Sequence, residues 1–164
     1  MEQQIRFCTT SDGIRIAYAT VGQGPPVVRV LGWFTHVEYE WENPRWRRVY
    51  EGLAARLSLT RYDGRGMGLS DREVSDYSID ACVRDLEAVV DALGHEKVAL
   101  YGLSQGGPTA ITYAVRHPER VSHIMVYGSF ARAPFSLEQF ETMLVLIRQG
   151  WGSDVPAHRQ FFTG

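Results

Sequence analysis

The feature that most restricts what this chain can fold into is a serine held between two glycines, where a strand pattern ends and a helix pattern begins. Val98 to Leu103 is a short, apolar, β-prone run, and Gln105 to His117 has helical character until Pro118 stops it. Across the junction runs Gly102-Leu103-Ser104-Gln105-Gly106. A chain that turns abruptly from strand to helix strains the backbone of its corner residue, and neighbouring side chains would collide there. Gly102 and Gly106 remove those side chains. Ser104 is left at the corner with its hydroxyl projecting above the sheet, and the following helix points its free N–H groups and positive dipole end at the same place.

The rest of the chain supplies a sheet and helices for this corner. Gln4 to Thr9 and Ile14 to Thr20 are β-prone runs separated by the turn Ser11-Asp12-Gly13, and they read as a hairpin. Val27-Val28-Arg29-Val30-Leu31 is mostly apolar, as a strand buried on both faces would be. Asn43-Pro44 opens a helix towards Leu57, with Trp46, Val49, Tyr50 and Leu53 as its apolar stripe. A strand near Leu59 to Tyr62 leads into the glycine-dense loop Asp63 to Asp71. The clearest helix follows: Ile79, Cys82, Val83, Leu86, Val89, Val90 and Leu93 form one stripe, Ser78 caps its start and Gly94 ends it. Val121 to Tyr127 is a further strand. Strands alternating with helices predict an α/β fold, a mostly parallel twisted sheet with helices on both faces. Beyond Gly128 the pattern changes. Ser136 and Gln139 have capping-box spacing, and the helix from Leu137 to Gln149 is apolar almost all round.

Composition narrows the function classes. The 164 residues are 45% hydrophobic and 22% charged, an ordinary globular balance. A net charge of -2 gives no electrostatic case for nucleic acid or an anionic membrane, so neither is an expected partner. Lys97 is the only lysine, and the arginines are spread along the chain, with Arg45, Arg47 and Arg48 reading as a solvated helix face. Cys8 and Cys82 lack metal-ligand spacing and make no disulfide framework, so no metal or cofactor is expected. The polar start Met1-Glu2-Gln3-Gln4, without an apolar segment after it, predicts a cytoplasmic protein.

Several longer stretches add to the corner. They are Leu31-Gly32-Trp33-Phe34, the run from Tyr62 to Asp71 (Tyr-Asp-Gly-Arg-Gly-Met-Gly-Leu-Ser-Asp), Tyr101 to Gly107, and His117-Pro118-Glu119-Arg120-Val121. On these the chain resembles the α/β-hydrolase superfamily over most of residues 4–133, in particular the N-terminal two-thirds of an esterase-like, lactonase-like or cofactor-free haloperoxidase-like member. The resemblance implies that Ser104 is a nucleophile acting on a small acyl substrate. It implies that the backbone N–H groups of Gln105 and Trp33 form an oxyanion hole, each donor worth ~3 kcal/mol of barrier. The family's usual His-Gly reads Leu31-Gly32 here. Members that use haloalkanes or epoxides usually carry aspartate at the corner, so Ser104 argues against those reactions. The Asp63 to Asp71 loop is expected to be a structural turn linked to the corner. The aromatic residues Trp33, Phe34 and Trp41 could line a pocket for an apolar acyl or ring group, or could equally be core.

A serine needs a base oriented by an acid, and in this fold the order along the chain is Ser, then Asp or Glu, then His. His36 and His95 precede Ser104, while His117 and His123 read as structural. Asp154 and His158 have the right order but lie only four residues apart, whereas the family draws acid and base from separate strand ends. The expectation is a truncated or incompletely represented hydrolase: an incomplete core over residues 1–133, and the start of a lid over 134–164. The alternative is a catalytically silent binding or signalling module, since Leu31 to His36 weakly resembles hydrolase-like domains attached to bacterial signalling proteins. An uncovered edge at Val121 to Tyr127 and the apolar helix at Leu137 to Gln149 predict a homodimer, or an aggregation-prone monomer, with one of these segments in the contact.

Overall fold

The computed structural model describes residues 1–30, 32–132, 136–151 and 155–156. Leu31, the residues around the 133/134 boundary, Asp154, His158 and the terminal Phe161 to Gly164 lie outside the described residues. Residues 1–131 form one compact unit and residues 132–164 another.

In the first unit, β1 (Gln4–Thr9) and β2 (Arg15–Val21) pair as the expected hairpin, with Gln4 opposite Thr20. Its turn is closed by Thr10 Oγ1, which accepts the Ile14 N–H at 2.9 Å. β3 (Pro26–Val30), β4 (Ser58–Tyr62), β5 (Val98–Leu103) and β6 (Val121–Tyr127) complete a sheet in the order β1-β2-β4-β3-β5-β6. β4-β3-β5-β6 is parallel, and the hairpin joins β4 antiparallel through β2. The sheet is mixed, with a parallel centre, as the alternation of elements predicts.

Alternating residues of a strand face opposite sides of the sheet. Val28 and Val30 therefore join the core beneath α3 (Ile79–Leu93) and α4 (Gly106–Arg116), with Leu86, Val89, Val90, Leu100 and Tyr113. Val27 faces α1 (Val37–Glu42) and α2 (Pro44–Ala54), beside Trp41, Tyr50, Ala54 and Leu59. Helices thus cover both faces. α3 begins and ends where the sequence places it, with Ser78 Oγ accepting the Ala81 N–H at 3.2 Å and Gly94 as its C-cap.

The α1–α2 face departs from expectation. The short helix α1 has no clear periodic signal in the sequence; His36 caps its start, and Asn43 closes it while capping α2. Trp41 of α1 joins Tyr50 and Ala54 in the core, which leaves Trp46 and Val49 of the expected α2 stripe 42% and 48% exposed. Arg45, Arg47 and Arg48 are exposed, as read from the sequence. Two other arginines are not. Arg29 and Arg61 stand opposite each other on β3 and β4, both buried. Glu40 of α1 accepts from both, at 3.0 and 2.8 Å, and Tyr50 Oη donates to the same carboxylate at 2.8 Å. A buried charge is tolerated when paired and hydrogen-bonded in this way.

In the second unit, α5 (Leu137–Gly150) opens with the capping box its spacing predicts. The Gln139 N–H donates to Ser136 Oγ at 3.2 Å, and the Ser136 N–H donates to Gln139 Oε1 at 2.9 Å.

Candidate active site

Ser104 lies between the end of β5 and the start of α4 with φ at 52°, the only non-glycine residue with positive φ among the described residues. Left-handed backbone costs a residue with a side chain ~1–3 kcal/mol and persists where the surroundings over-determine it. Here they do. The Ser104 N–H donates to the Tyr127 carbonyl at the end of β6 at 3.1 Å, and the Ser104 carbonyl accepts the Gly107 N–H at 3.2 Å. α4 is pressed against the sheet: a Cβ on Gly102 would lie 3.0 Å from Gly107 Cα and 3.1 Å from Ala110 Cβ. A Cβ on Gly107 would lie 1.8 Å from Ser129 Oγ and 2.7 Å from Ser129 Cβ. The sequence assigns relief of the clash to Gly102 and Gly106; the structure adds Gly107, whose partner comes from beyond β6 and leaves no local signal. Gln105 is exposed at the N-cap position, and its side chain makes no capping bond to α4.

The second candidate oxyanion residue lies on the loop that leaves β3. Val30 is paired with Gly102, so this loop emerges beside the corner. Gly32 backs onto the Leu103 carbonyl, 3.9 Å from where its Cβ would be. Trp33 and Phe34 stack on each other, with centroids 5.2 Å apart and planes 20° apart, and both reach solvent. Trp41, grouped with them in the sequence, is core. Thr35 is buried, and His36 Nδ1 accepts the Tyr39 N–H at 3.3 Å while its ring stacks on Tyr39. His36 thus serves as the N-cap of α1.

The glycine-dense loop after β4 spends its charges on structure, in keeping with a turn. Asp63 is fully buried; Oδ1 accepts the Val37 N–H and Oδ2 the Leu69 N–H, each at 2.9 Å. Burial pushes its carboxyl up, and the Leu69 and Val37 amides, the Thr35 hydroxyl and His36 offset this in part. Arg65 is held by Asp85 of α3, with Nε on Oδ1 at 2.9 Å, and by both oxygens of Asp12 at 2.9 and 3.1 Å. Burial raises Asp85, while the Arg65 hydrogen bond holds Asp12 well below the usual carboxylate range. Asp71 accepts the Arg15 N–H at 2.8 Å.

The described histidines are occupied elsewhere or exposed. His117 at the end of α4 contacts Glu87 at 2.8 Å and packs on Tyr113, a structural role as expected. His123 is exposed on β6. No cluster of three metal-ligating side chains occurs among the described residues, and no helix among them is long and apolar enough to cross a membrane. An open cleft bounded by Val21, Gly22, Ala54, Ser58, Leu93 and His95 lies at the end of the parallel strands opposite Ser104.

The chain is similar to known proteins. The sequence model of the alpha/beta hydrolase fold matches residues 25–163. The cis-3-alkyl-4-alkyloxetan-2-one decarboxylase of Shewanella oneidensis is 32% identical over 134 residues, which are 77% of this chain and 39% of that protein. The soluble epoxide hydrolase of Corynebacterium sp. C12 is 30% identical over 115 residues, 70% of this chain and 38% of that protein. Among solved structures, the esterase RhEst1 from Rhodococcus sp. ECU1013 superposes with a TM-score of 0.73 at 28% identity, over 94% of this chain and 57% of that one. The chain therefore spans about two fifths of the length of the curated relatives it matches.

Proposed function

The chain belongs to the alpha/beta hydrolase fold family, and we propose that it carries the nucleophile of a serine hydrolase acting on an ester, lactone or similar acyl substrate. The observation that supports this most strongly is the positive φ of Ser104 at a strand-to-helix corner, where both tight approaches fall on glycine. In this reading Ser104 Oγ attacks the acyl carbon, and the carbonyl electrons move onto oxygen. The N–H groups of Gln105 and Trp33 meet the oxyanion. Collapse expels the alcohol and leaves the acyl group on Ser104, and water then releases the acid and regenerates the serine. The serine proton passes to a base and on to the departing alkoxide. Ser104 stands where aspartate stands in epoxide-opening members of the family, which favours acyl transfer.

The test is turnover of p-nitrophenyl butyrate by the chain and by Ser104→Ala. A serine hydroxyl without an oriented base is a weak nucleophile, so turnover is slow. The expected result is slow, Ser104-dependent release of p-nitrophenol and a butyryl adduct located on Ser104 by mass spectrometry. Equal rates with no adduct would sink the reading and leave a hydrolase-like binding module.

A further inference from the structure

We infer that Asp63 is the positioning residue of the loop from Gly32 to His36, holding the Trp33 N–H against the corner through the Val37 amide. The inference rests on the reading of Ser104 and Trp33 above. That loop has no regular secondary structure, so no backbone ladder sets its path. A donor aimed at a developing oxyanion must nevertheless be placed closely, since about 1 Å of error can cost on the order of 10²-fold in rate.

The loop is fixed at its two ends. At the first, β3 is hydrogen-bonded to β4 and β5. At the second, Val37 is 1% exposed and its N–H donates to Asp63 Oδ1 at 2.9 Å. Asp63 is itself immobilised. Its N–H donates to the Ala17 carbonyl at 2.8 Å, its carbonyl accepts from Ser70 Oγ at 2.6 Å, and Oδ2 accepts the Leu69 N–H at 2.9 Å. The carboxylate also fills the space where a Cβ of Gly68 would stand, 2.1 Å from Oδ2.

Two N–H groups from separate segments converge on this one side chain. A carboxylate offers two acceptor oxygens; an amide of the same shape offers one acceptor and a donor that would face an N–H. The need to hold both segments explains why a charged group is kept in a fully buried place. Asp63 thereby joins the loop bearing Trp33 to the glycine-dense loop, and so to β2.

Two substitutions test this from opposite sides of the bond. Asp63→Ala gives up both amides. Val37→Pro removes the N–H and turns the ring Cδ towards Asp63 Oδ1, at the first position of α1, where proline is tolerated and where His36 is already extended. Asp71→Asn, which retains an acceptor for the Arg15 amide, is the control. In each chain the Ser104-dependent hydrolysis of p-nitrophenyl butyrate is separated into kcat and KM, and amide hydrogen exchange is followed by mass spectrometry. The expected result for both variants is a fall in kcat of about 10- to 100-fold with KM unchanged, and faster exchange in peptides covering 32–37. The control matches the unsubstituted chain. Unchanged kcat, or unchanged exchange at 32–37, would overturn the inference. So would a loss seen only with Asp63→Ala, because Val37→Pro breaks the same contact from the other side. If the unsubstituted chain and Ser104→Ala turn over equally, the underlying reading fails first, and that result is seen before any variant at 63 or 37 is compared.

Discussion

The corner at Ser104 and the loop from Gly32 to His36 leave adjacent strands side by side, yet they are held by different forces. The corner is steric. It exists because α4 crosses β5 so closely that Gly102 has no room for a Cβ; the clash of Gly107 with Ser129, from beyond β6, adds to it without a local signal. The loop is electrostatic, tied at Val37 to a carboxylate 26 residues further along the chain. Steric constraints act between chain neighbours and restrict residue type strongly, so they write themselves into the sequence as glycine spacing. A hydrogen bond from a distant acidic residue restricts one position among many that look alike.

The largest effect expected at either region comes from loosening the anchor of the loop that carries Asp63. Arg65→Ala leaves Asp85, fully buried, without its cation, and removal of one partner of a buried pair costs about 3–5 kcal/mol. Urea unfolding measures this, and a loss below about 1 kcal/mol, the value of an exposed pair, would show that the network does not anchor the loop. Next comes the corner. Gly107→Ala forces the new methyl onto Ser129 and should cost about 1–3 kcal/mol. Adding Ser129→Gly removes both clashing atoms, so in the double variant alanine should be neutral or stabilising, as it ordinarily is in a helix. A double variant no better than Gly107→Ala alone would contradict the steric account.

The smallest effect separates the two regions by pH. Burial holds the folded Asp63 carboxyl above its ordinary value of 3.8, so the folded chain binds that proton more tightly than the unfolded chain. The contribution of Asp63 to stability therefore rises as pH falls from the folded value through 3.8. The stability difference between the unsubstituted chain and Asp63→Asn should shift towards the unsubstituted chain over that window, whereas the cost of Gly107→Ala should not vary. Denaturant titrations across mildly acidic pH check both, and a flat difference for Asp63→Asn would break the distinction.

The same contrast explains what could be read from the sequence. Strand and helix positions from β1 to α5 were legible because their apolar residues repeat at period 2 or 3.6 and their ends carry Ser78, Gly94, Pro118 and Ser136. α1 was not, since six residues give too little period to recognise and its cap is the unusual His36. Trp41 of α1 takes the core place that the α2 stripe gives to Trp46. Ser104 and its glycines were legible as a strand–turn–helix motif. The burial of Arg29 and Arg61 was not, because nothing local distinguishes them from the exposed arginines of α2 until Glu40 is brought between them by the fold. The link from Asp63 to Val37 was hidden for the same reason.

The strand order has a consequence for how the chain comes into being. During synthesis β3 is made third, but its neighbour on one side, β5, follows only after α1, α2, β4 and α3 have been added. Until then one flank of the central strand has no partner, and a ribosome-bound chain stopped before Val98 would present an apolar, unpaired edge to solvent or to chaperones. β5 closes that flank and delivers Ser104 in the same stroke. The candidate nucleophile is thus laid down at the moment the sheet first acquires its continuous parallel centre, and a nascent chain should become protease-resistant only after it has emerged beyond α4.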